Sequence, residues 1–342
     1  MPSGPNKGIN GKKTATEGTQ MPHELIAHQN IGDEFSGTYY VQSAYIKQTV
    51  QKKDYTDMVL RDRSGARPVK HWGTVKDLSK GCWVFVAAMV EEYLGNPSII
   101  ARNVELVDEP DDLEDYIPIY EGSDELADDF DALIHELGEM EKNTNDETCS
   151  MMIAEVYRSG SFFDKFIRCP GSDGPCYGKQ GGLLASVVRV ARHALDASRF
   201  YDTTDAEKAV ILTAALLCRV GGADAYEFED CMPVQNKRGI LLGVPNLTMT
   251  RVSSALRRVM ASAREEGKTV DQDTLLRVLH AIVAANGTCG VESMTKEAMV
   301  LQGVVELDSE VVDALDFIDN DANEDDEFTA YDPRLRRRYY RG

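Results

Sequence analysis

The chain has 342 residues, 42% of them hydrophobic, and a formal net charge of −20. That length supports two domains with real cores, and no apolar run approaches the roughly 20 residues of a membrane span. The charge opposes diffuse attraction to a polyanion, so contact with one would need local basic surface.

The charge is unevenly spread. Residues 1–80 carry 12 Lys+Arg against 8 Asp+Glu, residues 81–180 carry 6 against 23, and the remainder 19 against 26. The acidic middle reads as a solvated face. The first 22 residues are rich in Gly, Thr, Lys and Asn and lack the apolar segment of a signal peptide; they are expected to form a flexible arm reaching to residue 31. Seven cysteines, scattered and odd in number, suggest reduced thiols and a cytoplasmic location. Cys169 and Cys176 flank a Gly/Pro-rich loop without a second pair at zinc-site spacing, which favours a structural loop.

Residues 39–47, 55–62, 67–72, 82–91 and 98–106 read as five strands. They are short, rich in Val, Ile, Tyr and Trp, and separated by Gly, Asp, Asn or Lys clusters. Five such strands without a long helix suit a small closed barrel, commonly an OB fold, over residues 32–110. Alternation separates Met58, Leu60 and Asp62 from Asp57, Val59 and Arg61, and groups Lys70 with Trp72. One set fills the core and the other faces out. Lys70, Trp72, Arg61, Tyr45 and Lys47 would then form a basic and aromatic surface, with Lys52 and Lys53 in the first hairpin loop. Aromatic rings stack on bases and Lys/Arg meet phosphates, so this surface suits single-stranded RNA or DNA. Trp72 is equally compatible with a core position.

An acidic linker covers 107–115. A helix starts at Ser123, with Leu126, Phe130, Leu133, Ile134, Leu137 and Met140 as its apolar stripe, and a second spans 147–157. Residues 111–170 are expected to be a helical linker. From Gly182 the pattern is nearly all helical: a buried helix after Gly182, then 208–217, 249–265, 272–285, 294–305 and 309–317. The end couples acids over 319–327 to Arg334, Arg336, Arg337, Arg338, Tyr339, Tyr340 and Arg341. Such blocks are usually disordered and contact partners; this one suits a nucleic acid, a protein partner, or the chain's own acidic surface.

Signs of independent chemistry are few. The six histidines form no His-x-x-x-His or HExxH pair. His135 and His193 read as ordinary helix residues. There is no Gly-x-Ser-x-Gly elbow and no phosphate-binding loop. Cys218 reads as a small buried residue.

Two segments, Gly181-Gly182-Leu183-Leu184-Ala185-Ser186 and Ala214-Ala215-Leu216-Leu217-Cys218-Arg219-Val220-Gly221-Gly222, resemble the metal-binding core of HD-domain phosphohydrolases of the YhaM-type 3′–5′ exoribonuclease family. There the segments read GGLLEH and ALLHDIGK. Leu60-Arg61-Asp62-Arg63-Ser64-Gly65 resembles that family's OB-fold hairpin. The resemblance implies an α+β chain: an OB-like barrel followed by an HD-like helical domain over 171–318. Every aligned ligand position has changed, to Ser186, Cys218, Arg219, Val244, Ala285, Asn286 and Val305, while Leu307-Asp308 is retained and His280 stands alone. HD enzymes use His and Asp to hold one or two metal ions that generate hydroxide. The resemblance therefore implies a catalytically inactive relative without metal or other cofactor, binding single-stranded nucleic acid. Arg219 would either contact phosphate or pair with Asp224, Glu227, Glu229 or Asp230. The alternatives are an interaction protein using the HD-like domain as an assembly platform, with a homo-oligomer among its forms, and an active metal-dependent exonuclease with atypical ligands.

Overall fold

Strict alternation shapes the first half of the molecule. In the computed structural model, strand β2 (Asp54–Asp62) buries Thr56, Met58, Leu60 and Asp62 and turns the residues between them outward. The structure describes residues 23–341 except 94, 114, 121, 159, 175, 230, 288–289 and 322–325; the expected arm over 1–22 lies outside them. The chain divides into two units, Met1–Asp111 and Asp112–Gly342.

The first unit is a closed barrel of β1 (Glu34–Gln48), β2, β3 (Gly65–His71), β4 (Trp83–Tyr93) and β5 (Asn96–Val107). The strand order is β1-β2-β3-β5-β4, with β3 and β5 parallel and the other pairs antiparallel. This closed five-stranded barrel is consistent with an OB fold. Strand β1 starts five residues before its expected position because it serves two neighbours. Glu34 to Tyr40 pair with β4, and Tyr40 to Gln48 pair with β2. An irregularity between Val41 and Ser43 interrupts the β1–β2 register between these two halves. Inside lie Phe35, Val41, Met58, Leu60, Val69, Val84, Val86, Val90 and Ile99.

Residues 23–31 do not behave as part of an arm. Ile26 is fully buried in the barrel core, which contributes about 2 kcal/mol by apolar burial. The polar anchor is Asp62, at the end of β2. Its carboxylate accepts from the Ile26 amide (2.7 Å), the Ser64 amide (2.8 Å) and the Ser64 hydroxyl, and lies 3.1 Å from His23 Nε2. The Leu-x-Asp-x-Ser-Gly hairpin thus closes β2 onto β3 and holds the preceding segment.

The second unit is helical. Helices α1 (Ser123–Thr144), α2 (Thr148–Tyr157) and α3 (Gly160–Arg168) precede α4 (Gly182–Ser198) and α5 (Asp205–Leu217). The first three are not a separate linker. Phe130, Phe162 and Phe166 join the same core as Leu183, Val187 and Leu212, and the Tyr157 hydroxyl donates to the Leu216 carbonyl at 2.8 Å. Helix α5 is apolar all round, and Ala209 to Leu217 are all buried, so it forms the centre of the unit. Its start carries a capping box between Thr204 and Glu207. A short turn of helix, α6 (Gly222–Ala225), leads to the hairpin β6 (Tyr226–Glu229) and β7 (Met232–Gln235), which the sequence pattern did not reveal.

Helix α7 (Lys237–Glu266) breaks at Gly243, whose φ of 73° only glycine adopts readily, two residues before Pro245. Helix α8 (Gln272–Ala285) follows. Helix α9 (Lys296–Asn320) is continuous where two helices were expected. The gap left between 305 and 309 is helical, and the Asp308 side chain there is satisfied by Tyr177 and Arg219, outside its own helix. No helix among the described residues is long and apolar enough to cross a membrane.

Candidate nucleic-acid interface

The outward faces of β1, β2 and β3 align residues that are far apart in sequence. Tyr45 stands opposite Asp57, and Asp57 opposite Lys70; Lys47 stands opposite Tyr55. Trp72 directly follows β3. Its ring meets that of Tyr55 at 5.5 Å between centroids, tilted by 50°. Trp72 is 61% exposed, which decides its orientation: it faces solvent and the core role falls to Trp83, 6% exposed. The backbone beyond Trp72 is held by the Thr56 hydroxyl, which donates to the Gly73 carbonyl at 2.8 Å, and His71 Nδ1 lies 2.9 Å from the Ala101 carbonyl.

Two aromatic residues of this surface were not expected. Tyr55 follows from extending the β2 alternation back by one step from Asp57. Tyr93, 63% exposed at the end of β4, could not be placed without the strand order; Lys70 Nζ lies 5.7 Å from the centre of its ring. Tyr45, Tyr55, Trp72 and Tyr93 with Lys47 and Lys70 form the site. Asp57 sits among them and is bonded to Lys47, whose pKa is raised by that hydrogen bond and charge. Lys47 therefore stays protonated, and Asp57 is partly neutralised.

The remaining predicted residues split. Lys52 and Lys53 are exposed in the β1–β2 turn, at the Lys47 and Tyr55 end of the strands. Lys52 holds a left-handed φ of 60° there. Arg61 faces outward but lies four residues along β2 from Asp57, roughly 13 Å at strand rise, with Nε donating to Gln42 at 3.3 Å. It stands apart from the aromatic group.

In the helical unit, the seven positions that the sequence resemblance aligns with metal ligands lie on or beside α4, α5, α7, α8 and α9. Ser186 is buried on α4 and donates to the Leu183 carbonyl at 2.8 Å. Cys218 ends α5; its thiol faces the Ala215 carbonyl at 3.3 Å, and burial pushes it up to about 11. Asn286, at the end of α8, donates to the Cys218 and Ile282 carbonyls. Ala285 is buried, and Val305 packs against the core from α9. Val244 follows the α7 break, and its carbonyl lies so close to Gly221 that a Cβ at Gly221 would collide. Hydrogen bonds or packing thus join the Cys218, Asn286 and Val244 positions around the α5 terminus. The seven aligned positions do not fit a divalent ion: Val244, Ala285 and Val305 are hydrocarbon, Arg219 is cationic, and Ser186, Cys218 and Asn286 are engaged with backbone. Among the described residues, no group of three or more His, Cys, Asp or Glu could hold a metal ion. His280 accepts from the Met294 amide at 3.0 Å.

Among the described residues, Arg219 pairs with none of its expected partners. Its Nη1 lies 2.6 Å from Asp308 on α9, while Asp224 is taken by Arg251 at 2.7 Å. Glu227 and Glu229 sit on β6, and position 230 lies outside the described residues. The Asp308 carboxylate also accepts from the Tyr177 hydroxyl at 3.0 Å. Burial and the neighbouring carboxylate push the Tyr177 phenol far up, so it remains a donor. A cleft of about 550 Å³ opens beside this cluster, bounded by Tyr177, Arg219, Asp308, Asp313, Asp316 and Arg334.

Nor is the chain's end a free tail. Residues 326–341 fold against α9. Phe328 bridges Tyr340, Asp332 bridges Arg337, and the Tyr339 ring meets Phe317 of α9 at 5.9 Å. Part of the acidic block, 322–325, lies outside the described residues.

No family model matches the sequence, and no curated protein matches it. Solved structures that resemble part of the chain include two OB domains. One is the second OB-fold domain of replication protein A from Methanococcus maripaludis, 15% identical, covering 27% of this chain and all of that one, with a TM-score of 0.22. The other is an OB domain from Methanosarcina mazei, 15% identical, covering 26% of this chain and 84% of that one, also at 0.22. The reading of the barrel rests on its own strand order and register, which close five strands with β3 parallel to β5.

Proposed function

We propose that this chain binds single-stranded RNA or DNA on the outer face of β1, β2 and β3. The observation that carries this reading is the exposed Trp72–Tyr55 pair flanked by Lys47 and Lys70. An exposed indole beside a second ring costs solubility and contributes little to a core, yet it offers a stacking platform for bases, and the lysines meet phosphates. The helical unit is, in this reading, an HD-like domain that has lost its metal chemistry, because the residues at the ligand positions are poor donors. The whole would then be a catalytically inactive relative of the YhaM type.

The test is direct. The chain has two tryptophans, one exposed and one buried, so stacking on Trp72 quenches the exposed fraction of the emission. Labelled U20 and dT20 should bind with salt-sensitive affinity and quench Trp72, and duplex should bind more weakly. Absence of binding at low salt refutes the reading. Manganese-dependent shortening of the oligonucleotide refutes the inactive assignment alone.

A second reading, an assembly platform, is favoured by Ile240, Leu241 and Leu242, three consecutive aliphatic residues exposed by 68%, 70% and 49% at the start of α7. Sedimentation of the chain without nucleic acid separates the two.

A further inference from the structure

The five arginines near the end of the chain do two different jobs. Arg334 pairs with Asp313 of α9 at 2.8 Å, and Arg341 with Asp321 at 2.8 Å. These two fasten the terminal hairpin to the helical unit. Arg336, Arg337 and Arg338 are all exposed. Among the described residues, no carboxylate lies within ion-pair distance of them, and Arg337 Nε donates only to the Leu335 carbonyl.

That is an unusual arrangement in its setting. Residues 112–342 carry 43 Asp+Glu against 24 Lys+Arg. Arginines serving to balance this charge would be expected to find one of those carboxylates. Instead the hairpin is built to keep three of them away. Asp332, 2% exposed, accepts from the amides of Arg334 (2.8 Å) and Leu335 (3.3 Å) and from the Tyr339 hydroxyl (3.1 Å). Those bonds fix the turn, in which Arg336 takes a left-handed φ of 53°. Alternation then turns Tyr339 inward and leaves Arg338 and Tyr340 exposed. The Tyr340 ring pairs with Phe328 across the hairpin at 5.3 Å, and the two are 62% and 44% exposed.

We infer that this terminal hairpin is a second contact site for single-stranded nucleic acid, independent of the barrel. Arg336, Arg337 and Arg338 meet phosphates, and the Phe328–Tyr340 pair stacks on a base. The site is ordered before the ligand arrives, which removes the ordering cost a flexible tail would bear on binding.

The test uses the whole chain and labelled dT30 in a salt titration. The Arg336→Gln/Arg337→Gln/Arg338→Gln variant should flatten the slope of log affinity against log salt by about 2, at roughly 0.7 per phosphate. The parent chain's advantage over it then shrinks about 16-fold between 50 and 200 mM salt. Its melting temperature should not change. The Phe328→Ala/Tyr340→Ala variant should weaken binding with the slope unchanged, and crosslinks from a 5-iodouracil oligonucleotide should map to Phe328 or Tyr340. An unchanged slope in the triple variant overturns the inference, whatever the barrel does. A proportionate loss of polyglutamate binding in the triple variant also overturns it, because the hairpin would then be a receptor for acidic protein. Trp72→Ala in the same titration keeps the barrel reading separate: if it binds like the parent while the triple variant does not, the hairpin stands and the barrel site falls.

Discussion

Trp72→Ala is the perturbation on which the barrel reading turns. Trp72 is 61% exposed, so truncation removes little buried area. What it loses within the protein is the tilted contact with Tyr55 at 5.5 Å. Aromatic pairs contribute about 0.5–1.5 kcal/mol when packed, and solvent on both rings puts this one at the low end. A loss of about 0.5 kcal/mol corresponds to roughly 2–4 °C for a unit of this size. Binding is expected to suffer far more. One lost base stack costs about 1–3 kcal/mol, which is about 5- to 150-fold in affinity. Anisotropy with U20 and dT20, alongside thermal melts of the same preparations, reads both numbers. A fall of more than about 10 °C places Trp72 in the fold's support rather than on its binding face. An affinity unchanged within twofold, with the fold intact, refutes stacking at Trp72.

Other expectations follow from the buried polar groups. Asp62→Asn turns an amide donor toward the Ile26 or Ser64 amide, which should cost about 1–3 kcal/mol and be visible as a lower melting temperature of the barrel. The Asp62 carboxyl is desolvated, which alone would raise its pKa. Hydrogen bonds from His23, Ser64 and Ile26 outweigh that and hold it below its ordinary 3.8. Its stabilisation is therefore complete above that value and lost as pH falls through the folded pKa; the parent barrel should weaken steeply below about pH 4, and the Asp62→Asn variant less steeply. Arg219→Met leaves Asp308 buried without its closest counter-charge and should cost about 3–5 kcal/mol, measured by urea unfolding. Adding Asp308→Asn removes the stranded charge, so the double variant should regain much of the loss; a double variant no better than the single refutes the pairing. Burial holds the Cys149 and Cys169 thiols at about 12 and Cys218 at about 11. Iodoacetamide at pH 8 should label the half-buried Cys82 before these three, which it should reach only on unfolding, as peptide mapping will show.

Elements whose signal is local were legible in the order of residues alone. The alternation of β2, the helix stripe from Leu126 to Met140 and the apolar α5 each follow from a period of two residues, a period of 3.6, or apolarity all round, and none depends on a distant partner. The same alternation put Lys70 with Trp72 and Asp57 with Arg61 before any fold was known. It could not say which set faced out at Trp72, because a large amphipathic ring suits either side until the barrel's interior is filled, and here Phe35, Leu60, Val69 and Ile99 already fill it. Tyr93 joined the site only through the parallel pairing of β3 with β5, which sets β4's end beside Lys70. Long-range polar partners were equally illegible. Arg219 found Asp308, 89 residues on, rather than the acids near it in sequence, and Arg334 and Arg341 were drawn to α9 while their neighbours were left outward. Charge names what a residue can pair with; only the packing of helices fixes which carboxylate comes within 3 Å, and a buried carboxylate then takes the nearest donor because leaving it unpaired would cost several kcal/mol.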